Sequence, residues 1–262
     1  MTALPFPKTA LITGGTKRLG LYMAKRLARE GWTLVLHTHS AAAEGEAACQ
    51  ALQGLQDLRD LGGTAHLVTG DFMDEAAIAA TYQQAVALAG PLGVLINNAS
   101  TFEYDDVSTA TEDSWNLHMQ VNARAPFVLS QKLAADVTGD QRACIVNLLD
   151  QRIFNWNPHF ATYSIAKGTL WTMTQTLAIA LAPRLRVNGI GPGPTLPSPR
   201  QTWEDFKRHQ RYTPLDRLVD PEEVAETAHF LIHNPSVTGQ MIAVDGGQHL
   251  NWAPPKAREP KG

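Results

Sequence analysis

Short apolar runs alternate with longer amphipathic ones between residues 9 and 244, and few architectures accept that rhythm. A strand that is apolar on both faces must be covered on both. Parallel pairing of such strands also needs crossovers long enough to be helices. The pattern predicts an α/β fold, a doubly wound, seven-stranded parallel sheet flanked by helices. Strands are expected near residues 9–13, 33–37, 65–69, 94–97, 143–148, 186–190 and 241–244. Helices are expected over 19–30, 43–61, 75–88, 114–136, 162–181 and 221–232. The last opens well, because Asp220 can cap it, Pro221 suits a first turn, and Glu222 and Glu223 favour the positive helix end.

At 262 residues the chain fits one domain, expected over residues 1–252, with a short tail at 253–262 rich in Pro and basic residues. Hydrophobic residues at 44% and charged residues at 18% exclude a disordered or fibrous chain. A net charge of -3 with scattered Lys and Arg lacks the electrostatic footprint of a nucleic-acid binder. Cys49 and Cys144 match no disulfide or metal spacing, which points to a reducing compartment. No apolar stretch reaches the length of a signal or a membrane span, so a soluble, cytoplasmic protein with no membrane partner is expected. Residues 191–213 break the alternation, with Pro192, Pro194, Pro197 and Pro199. A stretch that long between elements is usually a functional loop, and this one follows a strand where open α/β sheets place ligands. A surface insert is the other reading.

After the first strand comes Thr13-Gly14-Gly15-Thr16-Lys17-Arg18-Leu19-Gly20, then a helix. Glycines permit close backbone approach, and a helix start offers free N–H groups to a pyrophosphate. A carboxylate that would accept from the ribose 2′-hydroxyl of NAD is expected at the end of the second strand. Here the residues are His37, Thr38, His39 and Ser40. Without an acid, a 2′-phosphate meets no repulsion, and His39, Ser40, Lys17 and Arg18 can bind it, so NADPH is favoured over NADH. His37 and His39 share one strand face, but no third ligand is evident and the other histidines show no metal spacing, so no metal site is expected.

Tyr163 and Lys167 stand four apart on one predicted helix face. An adjacent ammonium favours phenolate and lowers a phenol from its ordinary value near 10, so the pair is expected to exchange a proton near neutrality. With the glycine turn, Asp71, Asn97-Asn98-Ala99, Asn122, Pro192-Gly193 and Asp245-Gly246-Gly247, the chain resembles the short-chain dehydrogenase/reductase family over about residues 8–250. The resemblance implies a Rossmann-type domain binding NADPH. It implies that Gly14 and Gly20 bracket the pyrophosphate with Leu19 beside them, and that Asp71 meets the adenine. Asn98, Ala99, Ser100, Pro192 and Gly193 would line the cofactor, with Thr195 on the carboxamide. Lys167 would hold the nicotinamide ribose, and Asn122 would order a proton-relay water. It also implies a homotetramer built partly on the 114–136 and 162–181 helices.

Two positions depart from the common pattern. Arg18 replaces the middle glycine, and Asp150 replaces the serine thirteen residues before the tyrosine. An ionised Asp150 accepts but cannot donate, and it would repel an oxyanion. Nitrogen heterocycles with N–H and amino donors suit it better. Both replacements are shared with the pteridine reductase branch, and Ser40 makes the bacterial dihydromonapterin reductase-like members the nearer comparison. By that similarity Phe102 would stack a pterin on the nicotinamide, Ser100 would bond to it, and Arg18 would reach both phosphate and ligand. Trp156, Trp203, Phe206 and Gln201 are candidate pocket walls. Asp150 can also be read as a helix cap or a partner of Arg152, and Phe102 as packing. Three functions stay open: reduction of a pterin-like ring with Tyr163 as proton donor, reduction of a carbonyl, and NADPH sensing without catalysis.

Overall fold

In a computed structural model the described residues are 4–40, 42–198 and 200–250; the expected tail at 253–262 lies outside them. Seven strands form one parallel sheet: β1 Thr9–Ile12, β2 Thr33–Thr38, β3 Ala65–Thr69, β4 Val94–Asn97, β5 Ala143–Leu148, β6 Leu185–Pro192 and β7 Met241–Val244. Their spatial order is β3-β2-β1-β4-β5-β6-β7. Every residue of β1, β4 and β5 is buried, as strands covered on both faces must be. The order reverses between β1 and β4, which opens a crevice beyond their carboxyl ends.

The helices are α1 Arg18–Ala28, α2 Ala42–Gln53, α3 Gln56–Asp60, α4 Glu75–Ala89, α5 Glu112–Met119, α6 Ala125–Asp136, α7 Ala161–Ala180, α8 Trp203–Lys207 and α9 Pro221–His233. One face of the sheet packs Ile12, Leu34, Ile96 and Val146 against Met23 and Leu27 of α1 and Val224 and Leu231 of α9. The other packs Leu11, Val35, Leu95 and Ile145 against Ile78 of α4, Leu129 of α6 and Leu177 of α7. No helix among the described residues is long and apolar enough to cross a membrane.

Three expected elements need correction. The 43–61 helix is two helices, because the chain ends α2 at Gly54 and turns extended at Leu55 (φ -68°, ψ 130°); glycine is a poor helix interior. The 114–136 helix begins earlier, at Glu112, where Thr111 and Ser114 form a reciprocal cap. It then widens into a π turn at Gln120–Arg124 before α6. Pro126 in the first turn of α6 has no N–H to continue an α ladder, and the Ala125 N–H reaches back to Gln120 O instead. The 191–213 segment is not structureless. Thr202 caps α8 through the Asp205 N–H, and a 3-10 turn follows at Arg208–Tyr212.

Candidate active site

The turn between β1 and α1 is held from β4. Asn98 Nδ2 donates to the carbonyls of Thr13 and Gly14 at 2.9 Å, and the Asn98 and Ala99 N–H groups both donate to Thr13 Oγ1. Gly14 adopts φ +59°, and a Cβ on Gly20 would overlap the Gly14 carbonyl oxygen, so side chains are excluded where backbone meets backbone. The helix start is open: Lys17 makes no side-chain cap and the first turn of α1 holds no acid. Free N–H groups and the positive dipole end therefore point outward together. Leu19 packs beneath on the core.

His37, at the end of β2, latches this turn. The Gly14 N–H donates to His37 Nδ1 at 3.2 Å, so Nε2 carries the proton and donates to Gly70 O at 2.9 Å. The ring stacks on Phe72 with centroids 4.0 Å apart. Burial pushes its pKa down to about 4, which keeps it neutral. Both nitrogens being engaged, His37 has no lone pair for a metal shared with His39. His39 is exposed with Nε2 3.4 Å from Asp71 Oδ1, and Asp71 also accepts from the Met73 N–H. Ser40 is exposed beside it. Lys17 stands 3.9 Å from Glu44 on the surface. Arg18 turns the other way: its guanidinium donates to Pro197 O at 2.8 Å and Leu196 O at 3.2 Å, joining the glycine turn to the loop after β6. In that loop Gly193 abuts Asp245, where a Cβ would fall 2.7 Å from the Asp245 Cα. Thr195 Oγ1 donates to Gly193 O at 2.8 Å.

Beyond the turn, Asp150 and Tyr163 meet. The Tyr163 hydroxyl donates to Asp150 Oδ2 at 2.9 Å, and Asp150 Oδ1 accepts from the Arg152 N–H at 2.8 Å. The carboxylate thus caps the short turn Gln151–Ile153 and binds the tyrosine at once. Burial and then the Asp150 charge hold the phenol well above its ordinary value. This reverses the expectation of a phenol lowered by Lys167, because the nearest charge to the hydroxyl is an anion. Lys167 is buried too. Its ammonium donates to Leu148 O at 2.7 Å and sits 5.7 Å from the Tyr163 ring centroid, and burial brings it down to about 8.

Asn122 lies in the π turn with its amide tied to one residue: Oδ1 accepts from the Thr101 N–H at 2.9 Å and Nδ2 donates to Thr101 O at 3.0 Å. Its side chain anchors the strand-end loop rather than hydrogen-bonding to Tyr163 or Lys167. Ser100, next to it, donates to Thr101 O at 3.3 Å and is exposed. Phe102 stands edge-on to Tyr163 at 4.7 Å, but one of its faces is taken by Phe160, stacked at 4.2 Å. Trp156 does not join this group. Its ring tip lies on Gly168 of α7, and 58% of it is exposed. Trp203 and Phe206 face each other at 5.5 Å within the loop, and Gln201 bonds His209 at 3.0 Å.

Other residues build the site without having been legible. The Thr162 N–H and hydroxyl both donate to buried Asp105, His118 Nδ1 donates to Thr162 Oγ1 at 2.6 Å, and His118 Nε2 accepts from the Glu103 N–H. This chain pins the first turn of α7, and hence Tyr163. Arg152 lies 5.3 Å over Phe102 and 4.8 Å over Phe160. Asp105 and His118 sit outside every motif and have no periodic signal. Away from this site, His229 and His233 stand four residues apart on α9, and both rings lie beside Glu30.

The family model described as enoyl-(acyl carrier protein) reductase matches residues 15–249. A solved structure of FolM alternative dihydrofolate reductase 1 from Brucella canis, complexed with NADP, is 40% identical, with TM-score 0.88 over 94% of this chain and 96% of that one. Its counterpart from Brucella suis, also in complex with NADP, is 39% identical with TM-score 0.89 over 97% and 99%. The human dehydrogenase/reductase SDR family member 4 is 29% identical over 92% of this chain and 87% of its own. With a family match across nearly the whole sheet, and the motifs gathered at one edge of it, the chain belongs to the short-chain dehydrogenase/reductase family.

Proposed function

We propose that the protein is an NADPH-dependent reductase of a pterin-like or related small cyclic substrate, with Tyr163 as the proton donor. The observation that carries the reading is the Tyr163–Asp150 hydrogen bond, which puts a protonated phenol and an acceptor carboxylate side by side. The two FolM structures, solved with NADP, support both cofactor and substrate class.

The residues present fit the dinucleotide. Gly14, Gly20 and Gly193 let the glycine turn, the end of β4 and the loop after β6 pack against their neighbours where a Cβ would clash, and the uncapped start of α1 suits a pyrophosphate. His39 and Ser40 would take the 2′-phosphate, with Lys17 close by; Asp71 would meet the adenine. Asn98, Ala99, Ser100, Pro192 and Thr195 would line the remainder, and Lys167 would hold the nicotinamide ribose. When bound, NADPH supplies the hydride. Tyr163 holds a proton on its Oη and gives it to the ring nitrogen of a C=N bond as the adjoining carbon is reduced. Asp150 orients that hydroxyl and accepts from amino or ring N–H donors of the substrate. Phe102, stacked on Phe160 and beside Tyr163, would border a flat ring, and Arg18 would seat the loop over it.

The test follows NADPH absorbance with dihydrobiopterin, dihydromonapterin, dihydrofolate and an acetoacetyl thioester side by side. Turnover of a pterin, reduced about 100-fold or more in Tyr163→Phe, is expected. Turnover of the thioester alone would transfer the reading to carbonyl reduction, and none with any substrate would leave an NADPH sensor.

A further inference from the structure

We propose that Glu30, His229 and His233 form a Zn²⁺ site that ties α1 to α9 at the end of the molecule opposite the cofactor turn. Three ligand atoms, one from each residue, lie within 4.8 Å of one another. Glu30 follows the end of α1, and the two histidines stand one turn apart on α9, the spacing by which a single helix face offers two imidazoles to one ion.

The hydrogen-bond inventory argues for a cation there. His233 Nδ1 lies 2.9 Å from the His229 carbonyl. A carbonyl only accepts, so Nδ1 carries the proton, and in the neutral ring Nε2 holds a lone pair. That nitrogen is 3.4 Å from Glu30 Oε2, and a lone pair facing a carboxylate is repulsive unless a positive centre lies between them. A second ring nitrogen bonded to a carbonyl is also how ligating histidines are usually oriented. His229 Nε2 sits 2.7 Å from Glu30 Oε1, yet it is buried and has no hydrogen bond, so the pair is close but out of line.

Size and charge agree. Zinc–ligand bonds of about 2.0–2.1 Å set tetrahedral ligand atoms roughly 3.3–3.4 Å apart. The His233 Nε2–Glu30 Oε2 separation of 3.4 Å already matches; His229 Nε2 lies 2.7 Å from the other oxygen, Oε1, and would draw back by about 0.6–0.7 Å to share an ion with it. Two histidines and a glutamate leave a fourth position for water. Arg26 donates to Glu30 Oε1 at 2.9 Å, but its Nε is paired with Glu226 at 2.6 Å. With both rings neutral, Arg26, Glu30, Glu226, His229 and His233 together carry a net negative charge, and Oε2 is left toward His233. Glu30 is twelve residues along from Arg18, roughly 18 Å of helix, so the ion would brace the helices and not touch the chemistry.

Protein stripped with EDTA and dialysed would be titrated with ZnCl₂ by calorimetry and followed by thermal denaturation. One equivalent should bind, and zinc at about 100 times its Kd should raise Tm by about 5 °C or more. His229→Gln and His233→Gln should each weaken binding at least as much as the roughly 10–100-fold that loss of an outer partner costs. NADPH oxidation should be unchanged in both, which also shows that they fold. Arg26→Gln, which removes a competing cation, should tighten binding. No binding to the wild type, or binding undiminished in both folded histidine variants, would overturn the site.

Discussion

Tyr163 donates its hydroxyl hydrogen to Asp150 across 2.9 Å, so the group proposed to deliver a proton is held by an anion. A serine in that place could donate to a developing oxyanion; a carboxylate repels one. Asp150→Ser is therefore expected to lower pterin turnover while retaining or raising ketone reduction, moving the ratio of the two kcat/KM values by about 10–100-fold. Steady-state assays with one pterin and one acetoacetyl thioester measure it, and an unchanged ratio would remove Asp150 from substrate choice.

Lys167 titrates within reach of ordinary assays, since burial brings its ammonium down to about 8. Its cation is the form proposed to hold a ribose hydroxyl. The rate of NADPH-dependent reduction should therefore fall as pH rises through about 8. In Lys167→Arg, which stays charged throughout this range, residual activity should lose that limb. A limb that persists in the variant assigns it to another group.

His37 links the glycine turn to pH through stability. Its folded pKa of about 4 lies below the ordinary 6.5, so between these values the unfolded chain binds the extra proton. Stability from this group is complete above about 6.5 and is lost as pH falls toward 4, by about 3 kcal/mol in all. Urea denaturation at pH 7.5, 6, 5 and 4 should show a shallower slope in His37→Gln than in the wild type, and equal slopes would remove His37 as a source of it.

Gly20 admits no side chain, because a Cβ would meet the Gly14 carbonyl and lie 2.7 Å from Asn98 Nδ2. Gly20→Ala should cost about 1–3 kcal/mol of stability and weaken NADPH binding further by forcing the turn open. Fluorescence titration with NADPH after a thermal scan separates the two effects. Unchanged affinity would show that this turn does not hold the pyrophosphate.

The sheet was legible because buried parallel strands are continuous apolar runs; β3, β4, β5 and β7 have the bounds their hydrophobicity predicts. The π turn was not, since only the missing N–H of Pro126 marks it, and a proline in a first turn reads equally well as a helix start. At the site, Tyr163, Lys167 and Asp150 were readable as a spaced set whose members meet. What spacing could not reveal was sign: the ammonium four residues along the helix looks nearest to the phenol, whereas burial, and after it Asp150 brought in from the end of β5, raises its pKa. His37 and Asp105 were hidden for a related reason. They act through main-chain groups remote in sequence, and a pattern of side chains carries no trace of such partners.

Arg18 grips the Leu196 and Pro197 carbonyls with two guanidinium nitrogens while its own backbone, at φ +50°, shapes the start of α1. Limited proteolysis of residues 193–213 should slow when NADPH is added to the wild type, and should stay fast in Arg18→Ala. Equal cleavage in all four samples would uncouple the two. One side chain thus serves as a hinge pin between the glycine turn and the loop after β6, so a change at that arginine would loosen both ends of the span together.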